Sequence, residues 1–126
     1  NMAYLLTVNN QQLDQALQYA RQAHQKEPGN PVYLDTYGYA QFKNGQTERA
    51  VQSLLRAIQL YEVGREPIPW DLYNHLGQVQ EALGDTAKAL DTYRKALDAS
   101  SEIPENERIL IEERINKLKQ QANTGI

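Results

Sequence analysis

The chain has 126 residues, of which 40% are apolar and 23% are charged, with a net charge of −3 and no cysteine. This length makes one domain, and the lack of cysteine excludes disulfides and thiolate metal sites. A nucleic-acid-binding protein would normally carry a basic face, so the charge balance argues against that class of partner. No stretch of the sequence approaches the roughly 20 apolar residues of a membrane helix, so we expect that this chain does not itself insert into a membrane.

Helical periodicity predicts seven helices and no strand. In chain order they cover residues 1–9, 12–27, 31–44, 47–63, 70–83, 86–100 and 105–122. Asn30 followed by Pro31 is a favourable N-cap and first residue for the third helix. Gly45 and Gly84 each follow a predicted helix and are expected to end it, because glycine tolerates the left-handed conformation of a helix end.

Part of the sequence occurs twice, 39 residues apart. Six residues are identical in the two copies: Gly38, Gln41, Gly45, Thr47, Ala50 and Ala57 correspond to Gly77, Gln80, Gly84, Thr86, Ala89 and Ala96. A partial third copy lies upstream at a spacing of 34, where Ala16, Gln18 and Ala23 precede Ala50, Gln52 and Ala57. Such a period, with small residues at fixed positions, indicates stacked helical hairpins.

Two of the repeated glycines fall inside predicted helices. Glycine at such a position costs about 1 kcal/mol relative to alanine. We therefore expect a neighbouring helix to approach closely at Gly38 and Gly77, with Ala50 and Ala89 serving the same purpose from the facing side.

The repeated pattern resembles the tetratricopeptide repeat. The resemblance rests on two runs, Leu34-x2-Tyr37-Gly38-x2-Gln41 with Ala50, Leu54 and Ala57, and Tyr73-x2-Leu76-Gly77-x2-Gln80 with Ala89, Tyr93 and Ala96. The chain departs from the family where a large aromatic is expected (Leu34) and where a tyrosine is expected (Gln41 and Gln80).

The resemblance implies an all-α fold, a right-handed superhelical solenoid of antiparallel helix pairs with about two and a half repeats and a C-terminal capping helix. The implied single domain divides into a partial repeat 1 at 1–30, repeat 2 at 31–64, an insert at 65–69, repeat 3 at 70–103, a capping helix at 104–122 and a tail at 123–126.

The residues offer no arrangement expected of an enzyme. The two histidines, His24 and His75, fall in different repeats, and no phosphate loop, nucleophile elbow or zinc spacing occurs. The acidic residues of the last helix alternate with basic ones such as Arg108 and Arg114, as on a solvated, ion-paired face. We therefore expect no catalytic residue, no cofactor and no metal site.

The resemblance also implies that a protein or peptide partner binds a concave groove lined by the first helix of each repeat. On the repeat frame, the partner-binding residues are Tyr4, Val8, Asp35, Tyr39, Phe42, Lys43, Asn74, Gln78 and Glu81. Tyr4 and Tyr39 are equivalent positions, so they are expected to be neighbours and to form an aromatic patch with Phe42. Alternatively, Tyr39 and Phe42 complete the packing between repeats.

One ligand class is disfavoured by the groove residues. Repeats that grip the C-terminal carboxylate of heat-shock chaperones carry lysine, asparagine and arginine along this groove. Here the corresponding places hold Asp35, Tyr39, Asn74 and Gln78. Asp35 would repel a terminal carboxylate.

The insert provides a secondary candidate site. Pro67 and Pro69 restrict it to extended or turn conformations, and Trp70 follows directly. Tryptophan is enriched at interaction hot spots, so Trp70 is a candidate partner anchor. The alternative is that Trp70 covers the end of the preceding helix near Tyr61.

The two ends of the chain lead to further expectations. The last helix has one apolar stripe, as a capping helix requires. The first helix begins inside a repeat and leaves apolar residues uncovered, so we expect the chain to be a fragment of a longer repeat array. We also expect this fragment to self-associate through residues 1–20 and to form a homodimer there.

The function expected from these observations is a non-enzymatic interaction scaffold that binds a peptide or protein segment. The alternatives are a structural spacer or self-association module, and a peptide-sensing regulatory domain. Asn1–Leu6 and Leu34–Tyr39 also resemble large bacterial repeat proteins, some of which belong to exopolysaccharide synthesis and export. The compartment, cytoplasm or periplasm, stays open.

Overall fold

The computed structural model describes residues 2–100 and 102–124, with side chains described for 11–100 and 102–122. Every element of secondary structure in these ranges is an α-helix, which confirms the all-α prediction. The helices are α1 Met2–Lys26, α2 Pro31–Lys43, α3 Thr47–Val63, α4 Trp70–Ala82, α5 Thr86–Ala99 and α6 Glu105–Thr124. The side chains of Tyr4 and Val8 lie outside the described part of the chain.

The prediction of two separate helices at 1–9 and 12–27 was wrong. Residues 2–26 form one continuous helix, α1. Residues 9–12 read Asn-Asn-Gln-Gln and include neither proline nor glycine. Nothing local therefore interrupts the helical hydrogen bonds. The other helix ends agree with the predictions to within two residues.

The six helices fall into two compact units. The first unit, Asn1–Val63, holds α1, α2 and α3, and the second, Gly64–Ile126, holds α4, α5 and α6. In the first unit, α2 packs mainly against α3 and also against α1. In the second unit, α5 packs mainly against α4 and also against α6.

Helix ends are fixed by the residues that the sequence singled out. The Asn30 side chain accepts hydrogen bonds from the backbone N–H groups of Val32 and Tyr33, at 2.9 and 3.4 Å, and so caps α2. Gly45 and Gly84 have φ angles of 83° and 81°. Both therefore adopt the left-handed conformation that ends α2 and α4, as predicted.

The close approach predicted at the helical glycines is present in both repeats. A Cβ atom added to Gly38 would lie 2.9 Å from Leu54 Cδ2, and one added to Gly77 would lie 2.6 Å from Tyr93 Cε1. Ala50 and Ala89 are fully buried. The contacts explain why each repeat carries glycine inside its first helix despite the cost in helix propensity.

A side-chain hydrogen bond joins the two helices of each repeat at equivalent places. The Ser53 hydroxyl donates to Gln41 Oε1 at 2.6 Å, and the Thr92 hydroxyl donates to Gln80 Oε1 at 2.6 Å. Both glutamines are buried, so their amide oxygens need a donor. This explains the glutamines at the position where the resemblance leads one to expect tyrosine.

The core of the second unit lies between α5 and α6. Its members are Ala89, Tyr93, Ala96, Ile111, Ile115 and Leu118, with Trp70, Tyr73, Leu90 and Leu97 packed against them. Three of the four residues that the sequence places in the apolar stripe of the last helix, Ile111, Ile115 and Leu118, are therefore buried, whereas the fourth, Ile109, is 44% exposed.

Candidate functional site

Helix α2 has one face that does not belong to the core of its unit. Its buried residues Leu34, Gly38 and Gln41 face α3. Next to this side, the Tyr37 ring stacks on His24 of α1, with ring centroids 5.5 Å apart. At 100° per residue, the exposed residues Val32, Thr36 and Lys43 lie opposite this side of the helix, and the half-buried residues Tyr39, Asp35 and Phe42 lie on the flank beside them.

Three of these side chains form a compact group, here called the aromatic cluster: Tyr39, Phe42 and Lys43. The two ring centroids are 6.1 Å apart, and the rings are tilted by 40°. Lys43 Nζ lies 5.1 Å from the Tyr39 centroid and 5.8 Å from the Phe42 centroid, so its charge interacts with both ring faces. The cluster presents aromatic surface and one positive charge, which suits an apolar side chain beside an acceptor group.

An asparagine that the sequence reasoning missed holds the end of α2 in place. Asn44 Nδ2 donates to the Leu13 carbonyl oxygen of α1 at 3.0 Å and to the Ala40 carbonyl oxygen at 2.8 Å. The bond to Leu13 ties the last turn of α2, and with it Phe42 and Lys43, to α1. An asparagine just before Gly45 is a possible helix-end signal, but nothing in the sequence indicates the contact with α1.

The corresponding face of α4 in the second unit is polar. Asn74 and Gln78 are half-buried, and Asn74 Oδ1 is a buried oxygen that accepts no hydrogen bond from the described residues. Glu81 accepts a hydrogen bond from the Tyr93 hydroxyl at 2.8 Å and lies 4.0 Å from Arg114 of α6. Glu81 therefore already has two partners within its own unit.

Burial raises the pKa of the Tyr93 phenol above its ordinary value, and the hydrogen bond to the Glu81 carboxylate raises it further. In the unfolded chain the phenol ionises near pH 10. Because the folded state holds the proton more tightly, this contribution to stability is complete below about pH 10 and is lost as the pH rises further. We expect the free energy of unfolding to fall steeply above about pH 10.

The matched variant for this pH effect is Tyr93→Phe, which retains the ring and removes the ionisable group. It should be less stable at neutral pH, because a hydrogen bond to a charged group contributes about 1.5–3 kcal/mol. Above about pH 10 its urea-unfolding free energy should fall less than that of the native chain. Equal alkaline losses in the two proteins would contradict a raised Tyr93 pKa.

The segment before α4 forms a second concave surface. Trp70 is half-buried and packs against the α5–α6 core, and Arg65 has a φ angle of 55°, in the left-handed region. Beside this segment lies a cleft of about 420 Å³, lined by Glu66, Pro67, Ile68, Tyr73, Lys95, Asp98 and Ala99. Trp70 thus has a packing role, and its use as a partner anchor stays a prediction.

The predicted groove residues fall in both units. Asp35, Tyr39, Phe42 and Lys43 share one face of α2, while Asn74, Gln78 and Glu81 belong to α4. Among the described residues, no group of three or more His, Cys, Asp or Glu side chains could hold a metal ion. Within the same residues, none of the helices combines the length and apolar character needed to span a membrane.

Comparison with known proteins identifies the repeat. Residues 36–102 match the family model described as tetratricopeptide repeat. The structure is similar to that of the Sgt2 TPR domain from Aspergillus fumigatus, with a TM-score of 0.74 at 22% identity, over 95% of this chain and 76% of that one.

A second similar structure is the TPR2AB domain of yeast Sti1 in complex with pHSP90. The TM-score is 0.65 at 21% identity, and the match covers 91% of this chain and 45% of that chain. At these identities the two likenesses show the fold alone. The family model covers more than half of the chain, and the protein therefore belongs to the tetratricopeptide repeat family.

Proposed function

We propose that this protein is a non-enzymatic interaction module that binds a peptide or an extended segment of a partner protein. The candidate binding residues are Asp35, Tyr39, Phe42 and Lys43 of α2 in the first unit, and Asn74, Gln78 and Glu81 of α4 in the second. The observation that carries this proposal is the aromatic cluster, because it places two part-exposed rings and a lysine together on one flank of α2.

The physical basis is the composition of protein interfaces. Aromatic residues are enriched there, since they combine a large apolar area with few rotatable bonds. The cluster is also held in a defined position, because Gln41 and Asn44 tie α2 to α3 and α1 through side-chain hydrogen bonds. A pre-organised surface loses less conformational entropy when a ligand binds.

The ligand need not be that of the similar structures. The yeast Sti1 domain forms a complex with pHSP90, and that is a property of that protein. In this chain Asp35 lies half-buried on the candidate face of α2. A carboxylate there disfavours a ligand that ends in a free C-terminal carboxylate, so we infer an internal peptide segment as the ligand.

The finer hypothesis, an exopolysaccharide-type bacterial repeat protein, rests on the sequence resemblance of Asn1–Leu6 and Leu34–Tyr39 and stays a proposal. The same holds for a homodimer formed through residues 1–20. A spacer or self-association role and a peptide-sensing role remain the competing proposals.

The double variant Tyr39→Ala/Phe42→Ala tests the peptide-binding proposal. Peptides would first be selected with the native chain from a random library displayed on phage, then synthesised and titrated by fluorescence anisotropy. Removing both rings should weaken binding by about 2 kcal/mol or more, because aromatic anchors dominate interface energetics. The far-ultraviolet circular dichroism should not change, since both side chains are only partly buried.

A control of similar size is Tyr19→Ala/Leu55→Ala. These side chains are 70% and 49% exposed, and they belong to α1 and α3 rather than to the candidate face. The control should retain native affinity. Unchanged binding by the Tyr39/Phe42 variant would move the site elsewhere, with the cleft beside Trp70 as the next candidate. Failure to select any peptide would favour the spacer or self-association alternative.

A further inference from the structure

Helix α6 repeats the burial pattern of α4. The fully or nearly fully buried residues of α4 include Leu72, Leu76 and Val79, and those of α6 are Ile111, Ile115 and Leu118. Each of these three α6 residues comes 39 residues after its counterpart in α4. The same period relates the two complete repeats. In its packing, α6 therefore corresponds to the first helix of a further repeat.

The position of α6 in the second unit agrees with this correspondence. It packs against α5, and the link between them, residues 100–104, is short, so the two helices are antiparallel. Helix α5 is in turn antiparallel to α4, since only residues 83–85 connect the two helices and they pack against each other. Helices α4 and α6 thus run in the same direction, and the Arg114–Glu81 ion pair connects them.

The same period relates the outer side of α4 to that of α6. The candidate residues Asn74 and Gln78 correspond to Glu113 and Lys117, and Asp71, an exposed residue in the first turn of α4, corresponds to Leu110. All three of these α6 residues are exposed. Leu110 is 46% exposed. A helix that only caps a stack needs a polar outer face, so a cap does not account for the exposed apolar area of Leu110 and of its neighbour Ile109, which is 44% exposed.

We propose that α6 is a ligand-binding helix and that Leu110, Glu113 and Lys117 extend the binding face of α4. This inference rests on the proposed peptide-binding function and adds a chemical class of ligand. Asp71 and Glu113 make one end of this surface acidic, Leu110 offers apolar area there, and Lys117 makes the other end basic. The complementary ligand is a peptide with an apolar side chain next to a basic residue and an acidic residue further along.

The spacing on α6 sets the spacing in the ligand. Leu110 and Lys117 are seven residues apart, which corresponds to about 10 Å along a helix. About three residues of extended peptide span that distance. The acidic residue of the ligand is therefore expected about three positions from the apolar one.

Peptides selected with the native chain from the random phage library provide the test. Leu110→Ser and Lys117→Glu should each weaken the selected peptides about tenfold, a loss typical of residues central to an interface. Lys117→Glu should also reverse the preference at one ligand position, so that a peptide with its acidic residue changed to lysine binds this variant better than the native chain does.

Matched controls lie away from this surface. Leu55→Ser, at a leucine of α3 that is 49% exposed, and Lys119→Glu, on the other flank of α6, make the same chemical changes. Both should bind like the native chain. If peptides are selected and bind the Leu110 and Lys117 variants with native affinity, the inference is wrong while the proposed function stands. If no peptide is selected, the proposed peptide-binding function is contradicted, and the inference about α6 is contradicted with it.

Discussion

Replacing Gly77 by leucine is expected to give a large loss of stability. A Cβ atom at this position would lie 2.6 Å from Tyr93 Cε1 and 2.7 Å from Tyr93 Cδ1. The Tyr93 ring is fully buried and its hydroxyl is bonded to Glu81, so a movement of the ring would displace its core neighbours and strain this hydrogen bond. Overpacking of a core costs about 1–3 kcal/mol, and the additional leucine atoms should place this variant at or above the upper end.

The other glycines allow a graded comparison in the urea-unfolding free energy. At Gly38 an added Cβ would meet Leu54 Cδ2 at 2.9 Å, and a leucine side chain yields more easily than a tyrosine ring. Gly38→Leu should therefore cost less than Gly77→Leu. At Gly29 nothing lies within 4 Å, so Gly29→Leu should be close to neutral. Equal stability of the Gly77 and Gly29 variants would refute the close-approach explanation.

The second large effect is expected for Ile111→Ala in α6. Ile111 is 1% exposed and belongs to the core between α5 and α6. Truncating a buried isoleucine to alanine costs about 2–5 kcal/mol, because transfer free energy is lost and a cavity is left behind. Thermal unfolding followed by circular dichroism should show a clear fall in the midpoint temperature.

The adjacent residue provides the control for this variant. Leu110→Ala removes a similar number of atoms from a side chain that is 46% exposed, and it should change stability by only about 0.5 kcal/mol. The contrast between two neighbouring positions separates the buried side of α6 from its exposed side. A large destabilisation by Leu110→Ala would mean that this leucine serves the core and not a ligand.

Much of the fold could be predicted from the sequence because its signals are local or periodic. Gly45 and Gly84 mark helix ends, Asn30 caps α2, and the period of 39 residues pairs α2 with α3 and α4 with α5. The break placed between residues 9 and 12 was wrong because this stretch has no local stop signal. A period predicts equivalent positions, but local residues decide whether a helix ends.

The candidate site was harder to predict, because it depends on contacts between helices. The frame put Tyr39, Phe42 and Lys43 on one face of α2, and helical spacing alone is enough for that prediction. It did not indicate that Glu81 already accepts a hydrogen bond from Tyr93. Whether Tyr93 can bond Glu81 depends on the length and direction of side chains on two packed helices. The periodicity of a single helix contains no information about that.

The Tyr93–Glu81 bond also affects which helices pair during folding. Ser53 of α3 and Thr92 of α5 donate equivalent hydrogen bonds to Gln41 and Gln80. Thr92 could therefore bond Gln41 as well, and this hydrogen bond alone would allow α5 to pack against α2 in place of α3. In such a mismatched pair the Tyr93 hydroxyl would face Phe42, the counterpart of Glu81, which cannot accept a hydrogen bond. A buried hydroxyl without a hydrogen-bond partner costs about 1–3 kcal/mol. Tyr93 thus favours the pairing of α5 with α4 over its pairing with α2. This preference opposes the exchange of helices between neighbouring repeats, which is a characteristic misassembly of repeat proteins.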